Sequence, residues 1–448
     1  MPMPSNLLLV GTSKGAFILD GDASRTSWSL RGPLCEGWPI HDLSVDAASG
    51  AIFAAGGSAW YGPAVFRSDD LGSTWTHSSE GLTYGDDGPK IPTLWNVTAA
   101  HGSVWAGAEP AGLFRSDDGG STWAHVSGLR DHPSRPGWEP GAGGLICHTI
   151  VPHPTDAERM WVAISAVGTF ATEDGGTTWE ARNKGVAACF APDPYPETGQ
   201  CVHKLVMAAG EPDTFYQQNH CGVYRSADAG RNWEDVSAGL VSEFGFVMAV
   251  HPRDPATSWV IPLTHPEEGR LAPGGALAVW RTSDRGDSWL RYGDGLPQHN
   301  AFVGVLREAL AVDGHDPAGV YFGTSTGQLY GSNDEGVSWS HHRRPSPAHL
   351  GGRGGRPRLT PMATIILPRS LIALFPAAPR RCDVEAATVA EAIDRLDALA
   401  PGLRNRIVDA GPVIREHIKV FVDRAPAELK TPLRADSTMH VIPAVSGG

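Results

Sequence analysis

No stretch of the chain is apolar for long enough to span a bilayer. The opening Met1-Pro2-Met3-Pro4-Ser5 has neither the basic segment nor the apolar core of an export signal. A cytoplasmic protein without a membrane partner is the expectation. The six cysteines (35, 147, 189, 201, 221, 382) show no Cys-x-x-Cys spacing, so thiols are expected in a reducing compartment. Were the protein exported, Cys189 and Cys201 would be the expected pair. Basic residues are scarce too. Residues 1–339 hold 20 Lys+Arg against 39 Asp+Glu, a net charge of −19. That excess speaks against nucleic acid, whose phosphates need a basic face.

What is plentiful is glycine (54) and tryptophan (15), the composition of turn-rich β structure. The 448 residues leave room for more than one domain. The stretch Ser116-Asp117-Asp118-Gly119-Gly120-Ser121-Thr122-Trp123 reads S-x-D-x-G-x-T-W. Near copies end at Trp75, Trp179, Trp233, Trp289 and Trp339, and a worn one at Trp28. Successive tryptophans lie 47, 48, 56, 54, 56 and 50 residues apart. Ser, Asp and Gly between two strand-like runs are hairpin chemistry: the carboxylate accepts backbone N–H groups and glycine allows positive φ. A period near fifty, about four short strands, is that of a propeller blade. Seven such tryptophans predict a seven-bladed β-propeller over residues 1–340.

The repeats resemble the Asp-box (BNR) proteins, which include sialidases, xyloglucan hydrolases and sortilin-type receptors. The resemblance implies that the Asp turns join strands C and D, on the face opposite any site, and are scaffold. The other face carries the connections from strand D to the next strand A, and the B–C hairpins. Residues 79–93, 127–144 and 181–200 are long D-to-A loops, with Tyr84, Trp138 and Tyr195 in them. Long loops on one face of a rigid scaffold are where binding is expected. The starts of strands A bring His41, Asp42, Trp95, His148 and His203 to that mouth, and the hairpins add Glu109 and His220.

His41, His148, His203 and His220, with Cys147, Cys201 or Glu109 beside them, have the donors for a divalent metal in the channel. A wet polar channel, whose histidines bond to water and carbonyls, is the plainer reading. Trp38, Trp60, Trp95 and Trp138 are candidate stacking faces for a sugar. A sialidase would need an arginine triad, but the first fifty residues hold only Arg25 and Arg31. Arg130, Arg135, Arg270 and Arg307 are the other candidates on the face. Any glycoside hydrolase needs two carboxylates, and Asp42, Glu109, Glu139 and Glu243 could supply them.

Strand A of the first blade is missing before Leu7. Residues 341–361, rich in Gly, Arg and Pro, cannot provide a buried inner strand and read as a linker. Residues 362–448 form a second domain. Short strands at Ala363–Leu367 and Cys382–Glu385 precede a capping box at Thr388. Val389, Ala392, Ile393, Leu396 and Leu399 then fall on one helix face. Strands at Ile418–Val422 and Met439–Val445 follow. This is the order of a small α+β, β-grasp (ubiquitin-like) fold. With its ending Pro443-Ala444-Val445-Ser446-Gly447-Gly448, it resembles the MoaD/ThiS sulfur carriers. That resemblance implies that Gly448 is the point of thiocarboxylate attachment, with Gly447 before it. It also implies three partners: a MoeB/ThiF-type adenylyltransferase that uses ATP, a sulfur donor and a sulfur-accepting synthase. No tightly bound cofactor is expected. The alternative for the whole chain is a glycoside hydrolase, exo-sialidase-like, with a β-grasp appendage.

Overall fold

The computed structural model describes residues 6–58, 60–341, 362–375, 378–409, 413–415, 418–434 and 437–443. Two compact units divide the chain, Met1–Pro347 and Ala348–Gly448.

The first unit is a seven-bladed β-propeller. Blades two to seven are four-stranded antiparallel meanders, and blade one has three strands, Asn6–Thr12, Gly15–Gly21 and Trp28–Leu34. Among the described residues blade one has no fourth strand, and residues 342–361, read as a linker, lie outside them. The inner strands of the other blades are Ile40–Val45, Thr93–Ala100, Cys147–Pro152, Val202–Ala208, Gly245–Val250 and Leu310–Val312. Blades two and three join into one sheet through the pairing of Gly57 with Thr93. Blade seven meets blade one through Arg25, which donates to Asp313 (3.0 Å) and to the Pro317 carbonyl (3.1 Å). Core side chains fill the gaps between sheets, with Trp161, Trp259, Tyr216 and Phe114 fully buried. Each large apolar side chain so buried contributes about 1.5–3 kcal/mol.

The repeat turns have one construction. Ser116 is buried (1% exposed), and its Oγ accepts the Gly120 N–H at 2.8 Å and donates to Asp118 at 2.7 Å. Asp118 accepts the Thr122 N–H (2.9 Å) and hydroxyl (2.7 Å). Gly120 sits at φ 92°, in the left-handed region that a side chain disfavours. The same bonds recur around Asp70, Asp174, Asp228, Asp284 and Asp334. The outermost strands are shorter than expected. That of blade three is Ala124–His125, so Trp123 belongs to the turn rather than to the strand.

In the second unit Met362–Ile366 pairs antiparallel with Arg381–Glu385 and parallel with Thr438–Pro443. Thr438–Pro443 in turn pairs antiparallel with Ile418–Val422. The helix Val389–Leu399 buries Val389, Ala392, Ile393 and Leu396, whereas Leu399 is exposed because the periodic face has turned away by the last turn. Thr388 caps it by accepting the Glu391 N–H at 3.3 Å, and Glu391 reaches back to the N–H of Ala387 at 2.8 Å. Two short helices, Arg369–Leu374 and Arg404–Ile407, had no periodic signal long enough to read.

Candidate functional site

The inner strands share a second repeated device that the sequence does not announce. In blades two to six the pairing of strand A with strand B slips near its start: between Ile40 and Asp42, Leu94 and Asn96, Cys147 and Thr149, Val202 and Lys204, and Gly245 and Met248. A bulge of this kind adds a residue and re-aims its side chain. The residues at the slips are His41, Trp95, His148, His203 and the pair Phe246-Val247. Four of the expected site residues therefore hold equivalent places around the channel.

Each of these residues engages a neighbouring blade. The His41 ring stacks on Trp95, with centroids 4.4 Å apart. His148 Nε2 donates to the Val202 carbonyl at 2.9 Å, and its Nδ1 meets the Thr149 hydroxyl at 2.9 Å. His203 Nδ1 donates to the Gly245 carbonyl at 2.6 Å, and its ring stacks on Phe246 at 4.5 Å. Asp42 accepts from Asn96 Nδ2 (2.7 Å) and from the Val97 N–H (3.0 Å).

Charge gathers at the same level. Lys204 of blade five pairs with Glu308, just before strand A of blade seven. Burial first, then the Glu308 charge, pushes the Asp42 carboxyl up to about 7 against the pull of the Val97 N–H and Lys204. Glu109 accepts from Trp95 Nε1 at 3.0 Å. The Arg307 guanidinium lies over Trp95 (5.6 Å) and Phe246 (5.7 Å) and donates to Ser165 at 2.9 Å. Its Nε and the Glu308 Oε1 are buried without a protein partner. A place at the start of a strand A, on the mouth face, was the sequence signal for Arg307 and Glu308.

Several expectations change. The four histidines do not form one ligand set. His148 has both ring nitrogens engaged, and burial holds it far below the usual imidazole range, so it is a neutral structural group. His41 stacks on Trp95 and stands outside the cluster of ligand atoms. Among the described residues only Cys201, His203 and His220 bring ligand atoms within 4.8 Å of one another. The expectation of thiols fails for one pair: Cys189 and Cys221 are bonded, not Cys189 and Cys201; hairpin residue Cys221 faces the D-to-A loop, whereas Cys201 points to His203. Cys35, Cys147, Cys201 and Cys382 are free. No arginine triad forms: Arg130 pairs with surface Asp131, Arg135 packs on Trp138, and only Arg270 and Arg307 share Phe246. Trp138 is buried against Phe170, a packing residue, and Glu139 and Glu243 are exposed in loops. Trp60, Tyr61, Phe190, Tyr195 and Phe302 stay exposed, all in loops of the mouth face. Gly447 and Gly448 lie outside the described residues. No helix among those described is long and apolar enough to cross a membrane.

Residues 373–448 match the ThiS family. No curated protein matches the chain. Among solved structures, the chain is similar to a GH74 xyloglucanase from Xanthomonas campestris, at 18% identity and a TM-score of 0.55, over 86% of this chain and 57% of that one. It thus spans little more than half of that enzyme, and the likeness is one of fold. YCF48 from Cyanidioschyzon merolae aligns over 71% of this chain and 88% of its own at 14% identity, with a TM-score of 0.47. SAMP1 from Haloferax volcanii aligns over 19% of this chain and 99% of its own at 28% identity, with a TM-score of 0.18. The chain therefore joins a β-propeller to a C-terminal domain of the ThiS family.

Proposed function

We propose that the C-terminal unit is a sulfur carrier acting in the cytoplasm, with a MoeB/ThiF-type adenylyltransferase as its activating partner. The observation that carries this reading is the ThiS match through Gly447-Gly448. A Gly448 carboxylate oxygen attacks the α-phosphorus of ATP on the partner, and pyrophosphate leaves. Hydrosulfide supplied by a sulfur donor then attacks the acyl carbon of the adenylate and AMP leaves, so that a thiocarboxylate remains for the accepting synthase. The two glycines have no side chain to obstruct a narrow adenylating pocket. The test is ATP–pyrophosphate exchange by the adenylyltransferase in the presence of the full chain. Exchange is expected with the native chain and not with a chain lacking Gly448. Equal exchange with both counts against the carrier.

The propeller supplies a ligand-binding face at its channel mouth. Support comes from the exposed Trp60, Tyr61, Phe190, Tyr195 and Phe302 gathered on that face. A hydrolytic reading is favoured by the Asp42 carboxyl at the start of a strand A, which burial first and then the Glu308 charge push up to about 7. Two carboxyls of divided protonation are what acid–base hydrolysis uses. Aryl-glycoside hydrolysis by the native chain that disappears in D42N supports it; no hydrolysis sets it aside and leaves binding.

A further inference from the structure

Cys201 stands immediately before the inner strand of blade five, His203 is the bulge residue of that strand, and His220 is on the B–C hairpin of the same blade. The Cys201 Sγ and His203 Nε2 are 3.5 Å apart, and the nearest ligand atom of His220 lies within 4.8 Å of both. A zinc-class ion holds sulfur at about 2.3 Å and imidazole nitrogen at about 2.0–2.1 Å, and a tetrahedral angle then puts the two donors about 3.5 Å apart. The Cys201–His203 spacing is thus already one edge of such a tetrahedron.

The second layer agrees with the first. A carbonyl only accepts, so the 2.6 Å contact of His203 Nδ1 with Gly245 O places the proton on Nδ1. The lone pair of Nε2 is then directed at Cys201. An N–H to carbonyl bond on the far nitrogen is the usual support of a metal-binding histidine. His148, at the equivalent bulge of blade four, has no such free nitrogen. His220 is held among the rings of Phe244 (5.1 Å) and His265 (5.5 Å), and the next residue, Cys221, is tied by its disulfide to Cys189. One thiolate and two imidazoles suit zinc or cobalt and not magnesium or calcium.

We propose that Cys201, His203 and His220 are the three protein ligands of a zinc-class metal site at the channel mouth, with a fourth position open to water or a ligand atom. The site is independent of the sulfur-carrier reading. It makes the propeller mouth a place where a divalent ion could activate water or polarise a bound carbonyl or oxyanion.

The test uses the full chain stripped with chelator and titrated with cobalt(II), then with zinc(II). One equivalent of cobalt is expected, with the intense visible bands of a tetrahedral ion and a thiolate-to-cobalt charge-transfer band, both bleached by zinc. Substitution of buried His203 risks misfolding, so Cys201→Ser and His220→Ala carry the test. C201S should lose the charge-transfer band, and H220A should weaken binding by at least about 10-fold. Cys382→Ser should leave the band in place. Zinc should also protect Cys201 from iodoacetamide, read by peptide mass spectrometry. Three results would each overturn the site: no stoichiometric uptake, a charge-transfer band that survives C201S, or alkylation of Cys201 at the same rate with and without zinc. The last result would describe a Cys–His hydrogen bond and nothing more.

Discussion

The two faces of the propeller are built from two repeated devices, and they repeat in opposite ways. On one face the C–D turn recurs with the same residues, Ser or Thr, Asp and Gly, and the same bonds. On the other the strand-A bulge recurs in position only, and its residues differ: His41, Trp95, His148, His203 and Phe246-Val247. A device that repeats its chemistry is solving the same structural problem each time. One that repeats its place but changes its residues presents different side chains to a common space.

The carboxylates make the contrast quantitative. The Thr74 N–H and hydroxyl and the Ser68 hydroxyl draw the exposed Asp70 down to about 2. Hydrogen bonds likewise lower Asp118, Asp174, Asp228, Asp284 and Asp334. Burial and a like charge drive Asp42 the other way.

The largest expected effect on this contrast comes from the bracing of the mouth face. Replacing both Cys189 and Cys221 by serine frees a 32-residue separation. On loop-entropy grounds it should cost about 3–4 kcal/mol, read as a lower urea midpoint by tryptophan fluorescence. An unchanged midpoint would mean that the bond does not brace the blade in solution. Next is Ser116→Ala, which leaves the buried Gly120 N–H unpaired. It should cost about 1–3 kcal/mol by the same measurement while leaving any ligand of the mouth bound as before. A binding loss in S116A would break the division between faces.

The third prediction concerns pH. Folded-state values of the turn aspartates lie below their unfolded value near 3.9, so their stabilisation is present above that value and is lost as pH falls below about 4. Asp42 is raised, so the folded state holds its proton more tightly. Its contribution is present below about 4 and is lost as pH rises toward about 7. Urea midpoints measured from pH 3 to 8 should therefore fall at the acid end and also decline between about 4 and 7. D42N should abolish the second decline alone. An identical decline in D42N would place its origin elsewhere. The smallest effect is that of Trp60→Ala. With Trp60 93% exposed, stability should change by no more than about 0.5 kcal/mol, whereas any ligand stacked on the mouth would bind less tightly.

The blade count was legible because the turn needs fixed residue types. Asp must accept the N–H groups and Gly must take positive φ, so the pattern survives in the letters. The helix Val389–Leu399 was legible through its periodic buried face. The bulges were not, because a register slip is a backbone event that His, Trp and Phe all accommodate. Which of His41, His148, His203 and His220 could share a metal, the alternative to a wet polar channel, was not legible for a related reason. Sequence can place four histidines at one mouth, but not say which ring nitrogens are already spent on carbonyls. The Cys189–Cys221 bond was missed because cysteine spacing says nothing of which hairpin faces which loop.

A sulfur carrier joined to a propeller must react at Gly448, and mass spectrometry reads that reaction. The full chain is incubated with the adenylyltransferase, ATP and a sulfur donor, and its C-terminal peptide is then sequenced. One oxygen should be exchanged for one sulfur at Gly448, dependent on ATP and absent when Gly448 is deleted. A C-terminal peptide of unchanged mass, under conditions in which the same enzymes load a known carrier, would contradict it.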